Sequence, residues 1–286
     1  MTATPEPGIY FDVPFAEYRN WDAINNGSLS AMGKSAEHYR HEQTHGREDT
    51  PALRTGRLIH CKQLTPDLFN QEYAVIPAEE IEAAVIAASD KQIKNVRATK
   101  SYKDRVAQFQ KENSGKEIAS QDDLKLANSI DAAIQKSELA AQMLTGSAEV
   151  SIIWDDTQTE LRCKARADIW NQGQGYLSDL KTTRDASRFE ISMANFNYDR
   201  QAAFYLDGFN TLGAKCDAFN FVAVETIAPF GVRAAPTQLV TLATGRAKYR
   251  KALEQIRECR KAKVWPGYES PKYWELPAWA ITEETR

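Results

Sequence analysis

Two acidic residues and a lysine near the middle of the chain have the types and spacing that metal-assisted hydrolysis requires. Asp168 lies in one apolar stretch, and Asp179, Leu180 and Lys181 stand together in the next. Two antiparallel strands joined by a glycine-containing turn would bring the two acids side by side. Because side chains alternate along a strand, Asp179 and Lys181 would share one face.

Such a cluster predicts a magnesium site. Mg²⁺ prefers oxygen ligands and keeps several waters, so Asp168, Asp179 and the Leu180 carbonyl would bind it, with Mn²⁺ as a substitute. Lys181 would lie beside the metal-bound water and assist hydrolysis of a phosphodiester, which makes DNA the expected substrate. The alternative is a surface hairpin with a cross-strand salt bridge, because Asp-x-Lys occurs by chance in any charged chain.

Further motifs accompany this pattern in a fixed order, at residues 28–30, 35–39, 52–60, 149–152, 164–170, 178–186, 198–205 and 265–268. This ordered set resembles the PD-(D/E)xK nuclease superfamily and, within it, the nuclease domain of the exodeoxyribonuclease VIII (RecE) family. Ala167 stands where the superfamily name has proline, which is not a metal ligand. The resemblance implies an α/β fold, with a restriction-endonuclease-like core of a central mixed sheet flanked by helices.

The resemblance also implies a third protein ligand for the metal. A helix is expected to open at Thr50 and Pro51, which suit its N-cap and first turn, and His60 lies near its end. The resemblance makes His60 a ligand together with Asp168 and Asp179. Without it, His60 would be interpreted as a helix-terminal histidine that interacts with the C-terminal dipole.

Three more residues are candidates for supporting roles. Gln201 and Tyr205 are four apart on a predicted helix and face the same way, and the resemblance places this pair beside the active site, against the catalytic lysine or the DNA end. An ordinary amphipathic helix is the alternative. Glu149, at the start of a predicted strand, is a candidate for an outer carboxylate or a second metal contact, although a surface glutamate fits there as well.

The net charge of −3 does not exclude a DNA-binding protein, because the basic residues are clustered. They concentrate in residues 91–116 and 246–263, and such stripes suit sequence-independent phosphate contacts. The candidates for backbone contacts in the first stripe are Lys94, Arg97, Lys100 and Lys103. Either stripe could instead be a solvated helix face.

Composition indicates a cytoplasmic enzyme, and the resemblance implies a bacterial or phage-encoded one. The 286 residues are 42% hydrophobic, which suffices for a substantial core. Residues 1–14 lack the features of a signal peptide, and no apolar stretch is long enough to span a bilayer. Cys61, Cys163, Cys216 and Cys259 are scattered, which favours reduced thiols and predicts neither a disulfide scaffold nor an iron–sulfur cluster.

The pattern predicts one nuclease domain over residues 1–286, with a helical part at about 1–145, a catalytic core at about 146–235 and a C-terminal helix and tail at about 236–286. Helices are predicted at 28–43, 51–63, 78–96, 120–142, 192–212 and 244–262. Strands are predicted at 149–154, 161–170, 176–181 and 218–225. The resulting βββαβ order is that of the superfamily core.

The expected function is therefore a magnesium-dependent exonuclease on linear double-stranded DNA. The resemblance alone implies 5′ to 3′ polarity, 3′ single-stranded overhangs, a ring-shaped homo-oligomer and a single-strand annealing recombinase of the RecT type as partner. One alternative is an endonuclease or a single-strand-specific nuclease on the same core. Another is a DNA-binding module that has lost catalysis.

Overall fold

The computed structural model describes residues 4–89 and 92–276. Its helices are α1 (Phe15–Asn20), α2 (Asn26–Met32), α3 (Ala36–His45), α4 (Pro51–Leu64), α5 (Phe69–Glu72), α6 (Ala78–Ala87), α7 (Lys100–Glu112), α8 (Gln121–Lys136), α9 (Glu138–Met143), α10 (Phe189–Phe196), α11 (Tyr198–Thr211) and α12 (Leu239–Ala262). Its strands are β1 (Gly8–Tyr10), β2 (Tyr73–Val75), β3 (Glu117–Ala119), β4 (Ser147–Asp155), β5 (Arg162–Asn171), β6 (Tyr176–Thr183), β7 (Ala218–Glu225) and β8 (Val232–Pro236).

A mixed six-stranded sheet in the order β1-β4-β5-β6-β7-β8 forms the centre of the molecule. β4, β5 and β6 pair antiparallel, and β6 then pairs in parallel with β7 after the α10–α11 crossover. β7 pairs antiparallel with the edge strand β8. The predicted βββαβ order and α/β fold class are thereby confirmed.

Alternation along the strands divides the core between the two faces of the sheet. Leu177 and Phe221 face a core built with α2, α11 and α12. Leu180 and Val222 face the opposite core, built with α4, α8 and α9. Apolar side chains therefore project from both faces of β6 and β7, as expected for central strands covered by helices on both sides.

Three predicted helices are each divided in two at a residue that favours a cap or a turn. Ser35 and Ser137 begin new helices, because their hydroxyls accept the N–H groups of His38 at 3.2 Å and Ala140 at 3.4 Å. Asn197 adopts the left-handed conformation at φ 54° and ψ 44°, which ends α10 before α11 starts. The prediction of single helices over 28–43, 120–142 and 192–212 was therefore wrong, since local hydrogen bonds compete with the helix.

The other predicted helices agree with the structure or differ from it only in length. Thr50 caps α4 and Pro51 is its first residue, as predicted. The predicted helix over 78–96 ends as α6 at Ala87, and α12 starts five residues before the predicted residue 244. The sequence did not predict β1, which pairs with β4, or the short parallel pair of β2 and β3. None of the helices in the described ranges has the length and apolar character needed to cross a membrane.

Candidate active site

The two acids lie where β5 and β6 separate. The paired register of the hairpin runs from Asn171 opposite Tyr176 to Ile169 opposite Ser178 and stops there. Asp168 is the next residue on its strand, and its Oδ2 accepts a hydrogen bond from the Leu180 N–H at 2.8 Å. Because the N–H and C=O of one strand residue point to the same side, the Leu180 carbonyl also faces the β5 side of β6.

The turn of this hairpin is closed by glycine. Gly175 has φ +67°, and a Cβ there would lie 3.1 Å from the Lys215 carbonyl oxygen. Both the left-handed backbone and the close approach of a neighbouring loop therefore favour glycine. The predicted hairpin is confirmed, and its closed end lies opposite the end that carries the acids.

Asp179 is the most deeply buried acid of the site, at 1% exposure. Its Oδ1 accepts a hydrogen bond from Gln201 Nε2 at 2.6 Å, and its Oδ2 lies 2.5 Å from Lys181 Nζ. The Lys181 ammonium also lies over the Tyr198 ring, 4.8 Å from its centroid. The catalytic candidates of β6 are thus fixed by two residues of α11.

His60 and Glu149 complete a donor set around Asp168. His60 Nδ1 lies 3.4 Å from Asp168 Oδ2, because α4 packs against β5. One ligand atom each from His60, Glu149 and Asp168 lies within 4.8 Å of the other two. An imidazole and two carboxylates at this separation fit a divalent cation that accepts nitrogen and oxygen ligands. Asp179 is a predicted ligand, but its carboxylate is directed to Lys181 and Gln201.

Glu149 reaches this set through an irregular backbone. The β4–β5 register pairs Ala148 with Ile169 and Val150 with Ala167, which leaves Glu149 and Asp168 between these two pairs. Glu149 has φ +53°, a conformation rare for residues other than glycine. Its carboxylate forms an ion pair with Arg166. Strained backbone of this kind concentrates at functional sites, and it was not visible in the sequence.

Burial and mutual charge shift the pKa values across the site. Burial raises the pKa of Asp179 to about 6, and Lys181 opposes this shift. Burial would also raise the pKa of Asp168, but the His60 and Lys181 charges hold it below its usual range. Burial would lower the pKa of His60, but the carboxylates of Asp168 and Glu149 raise it to about 9. Burial raises the pKa of Glu149, and Asp168 adds to the effect.

A cleft of about 1860 Å³ opens over these residues. His60, Glu149, Asp168, Lys181 and Tyr205 line it, so the predicted supporting residue Tyr205 also faces the site. The lining further includes Lys34, Arg47 and Lys251, which form no ion pair with any other described residue. Glu42, Glu72, Glu254 and Glu269 line it as well and likewise form no ion pair with a described residue, so the walls of the cleft carry unpaired charges of both signs.

The two basic stripes contribute differently from their sequence pattern. Lys94, Arg97, Lys100 and Lys103 are absent from the lining of the cleft, and Arg97 pairs with Glu82. The first residue of that stripe, at position 91, lies outside the described residues. In the second stripe, Arg246 pairs with Asp207 and Arg250 with Asp156, as parts of the packing of α12. Contact of the first stripe with DNA remains a prediction.

Two residues of the site were not singled out from the sequence. Tyr198 stands three positions before Gln201, so helical spacing places both toward Asp179 and Lys181. Arg166 stands two positions before Asp168, on the same face of β5. Both signals depend on knowing which face of the element meets the site.

The family of this chain follows from comparison with known proteins. The family described as "PDDEXK-like domain of unknown function (DUF3799)" matches residues 27–276. The chain belongs to this family. Since the match spans both the β5–β6 hairpin and α4, the residues around Asp168 lie within the PDDEXK-like domain.

A solved structure has the same fold as this PDDEXK-like domain. The crystal structure of a protein from Eubacterium rectale, described as an exonuclease candidate, superposes with a TM-score of 0.61 at 14% identity and covers 89% of each chain. At this identity the likeness concerns the fold. No protein with a curated description matches the chain. The PDDEXK-like family and its fold support a nuclease, and nucleases of this kind typically depend on a divalent metal.

Proposed function

We propose that this PDDEXK-like domain is a magnesium-dependent exonuclease of the RecE type that degrades linear double-stranded DNA from 5′ to 3′ and leaves 3′ single-stranded overhangs. The observation that carries the proposal is the group of Asp168, Asp179 and Lys181, with His60 and Glu149 beside Asp168, at a large cleft that Asp168, Lys181, His60 and Glu149 line. Polarity and overhang follow from the resemblance of the ordered motifs to that family.

The residues present fit a divalent cation. His60, Glu149 and Asp168 would hold it, and the Leu180 carbonyl and Asp179 are the further candidates on β6. When bound, the metal would lower the pKa of a water and polarise the phosphate. Because its carboxylate already binds Lys181, Asp179 serves in this proposal as the link between the metal group and the lysine.

Lys181 is the residue proposed to act on the phosphate itself. Its ammonium is held by the Asp179 carboxylate and the Tyr198 ring, and it lines the cleft. These contacts fix a positive charge before the substrate arrives, so it can stabilise charge that develops on the phosphate oxygens without reorganisation. The pKa of Lys181 is raised, against its burial, by Asp179 and Asp168, which keeps it protonated.

Three cations on the walls of the cleft are candidates for contacts to phosphates. Lys34, Arg47 and Lys251 are exposed and form no ion pair with described residues, so binding DNA breaks no internal pair at these positions. Such contacts to phosphates carry no sequence preference and weaken with salt. We further propose a ring-shaped homo-oligomer around the duplex and a single-strand annealing recombinase as partner, both from the family resemblance.

The test uses linear duplex DNA labelled separately at its 5′ and 3′ ends, together with a closed circle. The protein is incubated with Mg²⁺, with Mn²⁺ or with chelator. Lys181→Ala should abolish cleavage while DNA binding persists. Lys125→Ala is the matched control, because Lys125 is exposed on α8 and pairs only with Asp122, at 3.9 Å.

Each outcome assigns the activity. Metal-dependent loss of the 5′ label from linear DNA alone, absent in Lys181→Ala, supports the proposal in full. Cleavage of the circle, or of single strands only, would instead identify an endonuclease or a single-strand-specific nuclease on the same core. Intact linear DNA under conditions where the protein binds it would refute the nuclease and leave a DNA-binding module.

A further inference from the structure

An exposed aromatic residue lies in the cleft beside the catalytic lysine. Phe196 is 63% exposed and lines the same cleft as Lys181. Single exposed apolar residues are common on protein surfaces and need no explanation. Phe196 differs in its position, because it lines the cleft that also holds His60, Asp168 and Lys181, where the proposed function expects a DNA strand.

The distance from Phe196 to the chemistry matches the spacing of nucleotides. Lys181 Nζ lies 4.8 Å from the Tyr198 ring centroid, and the Phe196 ring lies 5.7 Å from that same centroid. Stacked bases rise by about 3.4 Å along a strand. The two distances together place the Phe196 ring at most about 10.5 Å from Lys181 Nζ, which is about three rises of a stacked strand.

The backbone around Phe196 presents it to the cleft. Phe196 is the last residue of α10, and Asn197 follows in the left-handed conformation, so the chain turns sharply before Tyr198 begins α11. Asn195 and Asn197 also line the cleft, and their amide side chains form no hydrogen bond within the described part of the chain. An exposed ring thus stands between two amides that are free to bind polar base edges.

We propose that Phe196 stacks on a nucleobase of the bound strand, within about three nucleotides of the scissile phosphate. This proposal rests on the proposed nuclease function. It adds that the site binds an unstacked base as well as the phosphate backbone. Stacking of this kind tolerates any base, because every base has a π face. It favours strand ends and single-stranded segments, whose bases separate from their neighbours most easily.

The test combines a protein change with a DNA change, in the absence of cleavage. Lys181→Ala protein in chelator is the parent, and binding of a duplex with a short single-stranded end is measured by fluorescence anisotropy. Adding Phe196→Ala should weaken binding by about five-fold to about 150-fold, as expected for loss of one base–aromatic stack. The loss should vanish on DNA that has an abasic site at the stacked position, found by placing the abasic site at each of the four terminal nucleotides.

Matched variants separate stacking from general effects. Phe196→Tyr keeps the ring and should bind like the parent, whereas Phe196→Leu keeps apolar bulk without a π face and should bind like Phe196→Ala. Ile191→Ala is the control on the same helix, since Ile191 is 49% exposed and lies outside the cleft lining. Thermal unfolding should be the same for all variants, because Phe196 is largely exposed.

The results distinguish this inference from the function on which it rests. If Phe196→Ala binds intact DNA as tightly as the parent, or loses the same factor on every abasic DNA, the inference is wrong while the nuclease stands. Tight binding by Phe196→Leu would also refute stacking. Absence of DNA binding by the parent, together with absence of metal-dependent cleavage by the unchanged protein, would overturn both proposals.

Discussion

Gln201→Ala should destabilise the protein and disorder the acid that carries Lys181. Gln201 Nε2 donates to Asp179 Oδ1 at 2.6 Å, and Asp179 is 1% exposed, so water cannot replace the lost donor. Hydrogen bonds to charged groups contribute about 1.5–3 kcal/mol, and we expect a loss of that size in the free energy of unfolding. Urea unfolding at pH 8 in chelator measures it.

The loss should depend on pH. Without Gln201 the pKa of Asp179 rises further above its value of about 6, and protonation relieves the carboxylate oxygen that has lost its hydrogen-bond donor. The difference between parent and variant is therefore full above the raised pKa of the variant and shrinks as the pH falls toward about 6. Nuclease activity in Mg²⁺ should fall at pH 8 as well, because Lys181 is held by this carboxylate.

A second buried amide provides the control for Gln201. Asn220 Nδ2 donates to Ser178 Oγ at 3.2 Å, and Asn220 is 4% exposed, but its acceptor is neutral. Asn220→Ala should cost about 0.5–1.5 kcal/mol at every pH and leave cleavage unchanged. If Gln201→Ala costs no more than Asn220→Ala and shows the same flat pH dependence, the assigned link between Gln201 and an ionised Asp179 is wrong.

Two further predictions concern the scaffold. Gly245→Ala should destabilise the protein by about 1–3 kcal/mol or more, because a Cβ there would lie 2.0 Å from the Asp199 carbonyl oxygen. Gly56→Ala, whose Cβ meets nothing within 4 Å, should instead stabilise the protein slightly. Thermal unfolding measures both variants, and equal effects would refute the packing argument. Although burial opposes ionisation, Thr159 and Arg250 hold the pKa of Asp156 below its usual range. The stability that the carboxylate adds over Asp156→Asn should therefore be full near neutral pH and be lost below about pH 4 in urea unfolding, and a constant difference would contradict it.

The sequence was sufficient for the four central strands β4 to β7, because alternation and apolar runs are local signals. β5, β6 and β7 lie within a few residues of their predicted bounds. The helix interruptions at Ser35, Ser137 and Asn197 were missed, since one side chain that caps or turns the backbone outweighs the weak propensity of its neighbours. Helical periodicity continues across such a residue and hides it.

The sequence named residues that the structure brings together at the candidate site, but it did not predict how they pair. Asp179 and Gln201 are 22 positions apart, and only the packing of α11 against the sheet decides that they share a hydrogen bond. The irregular backbone of Glu149 has no sequence signal at all. The basic stripes were predicted to contact phosphates, yet tertiary packing pairs Arg246 and Arg250 with acids. Lys34, which lies between α2 and α3 and outside both stripes, lines the cleft instead.

The Asp168 carboxylate also has a structural role, because it accepts a hydrogen bond from the Leu180 N–H. The β5–β6 register has already ended there, so a side chain takes the place that a backbone carbonyl of the neighbouring strand would fill. Asp168 is therefore a candidate metal ligand, and its hydrogen bond also holds β5 and β6 together at the open end of the hairpin. Replacing Asp168 with alanine would remove both the candidate metal ligand and the hydrogen bond between the strands. Asparagine keeps an acceptor oxygen for the Leu180 N–H. An inactive protein intended for trapping DNA is thus better made at Lys181, or with Asp168→Asn, than with the customary alanine at the acid.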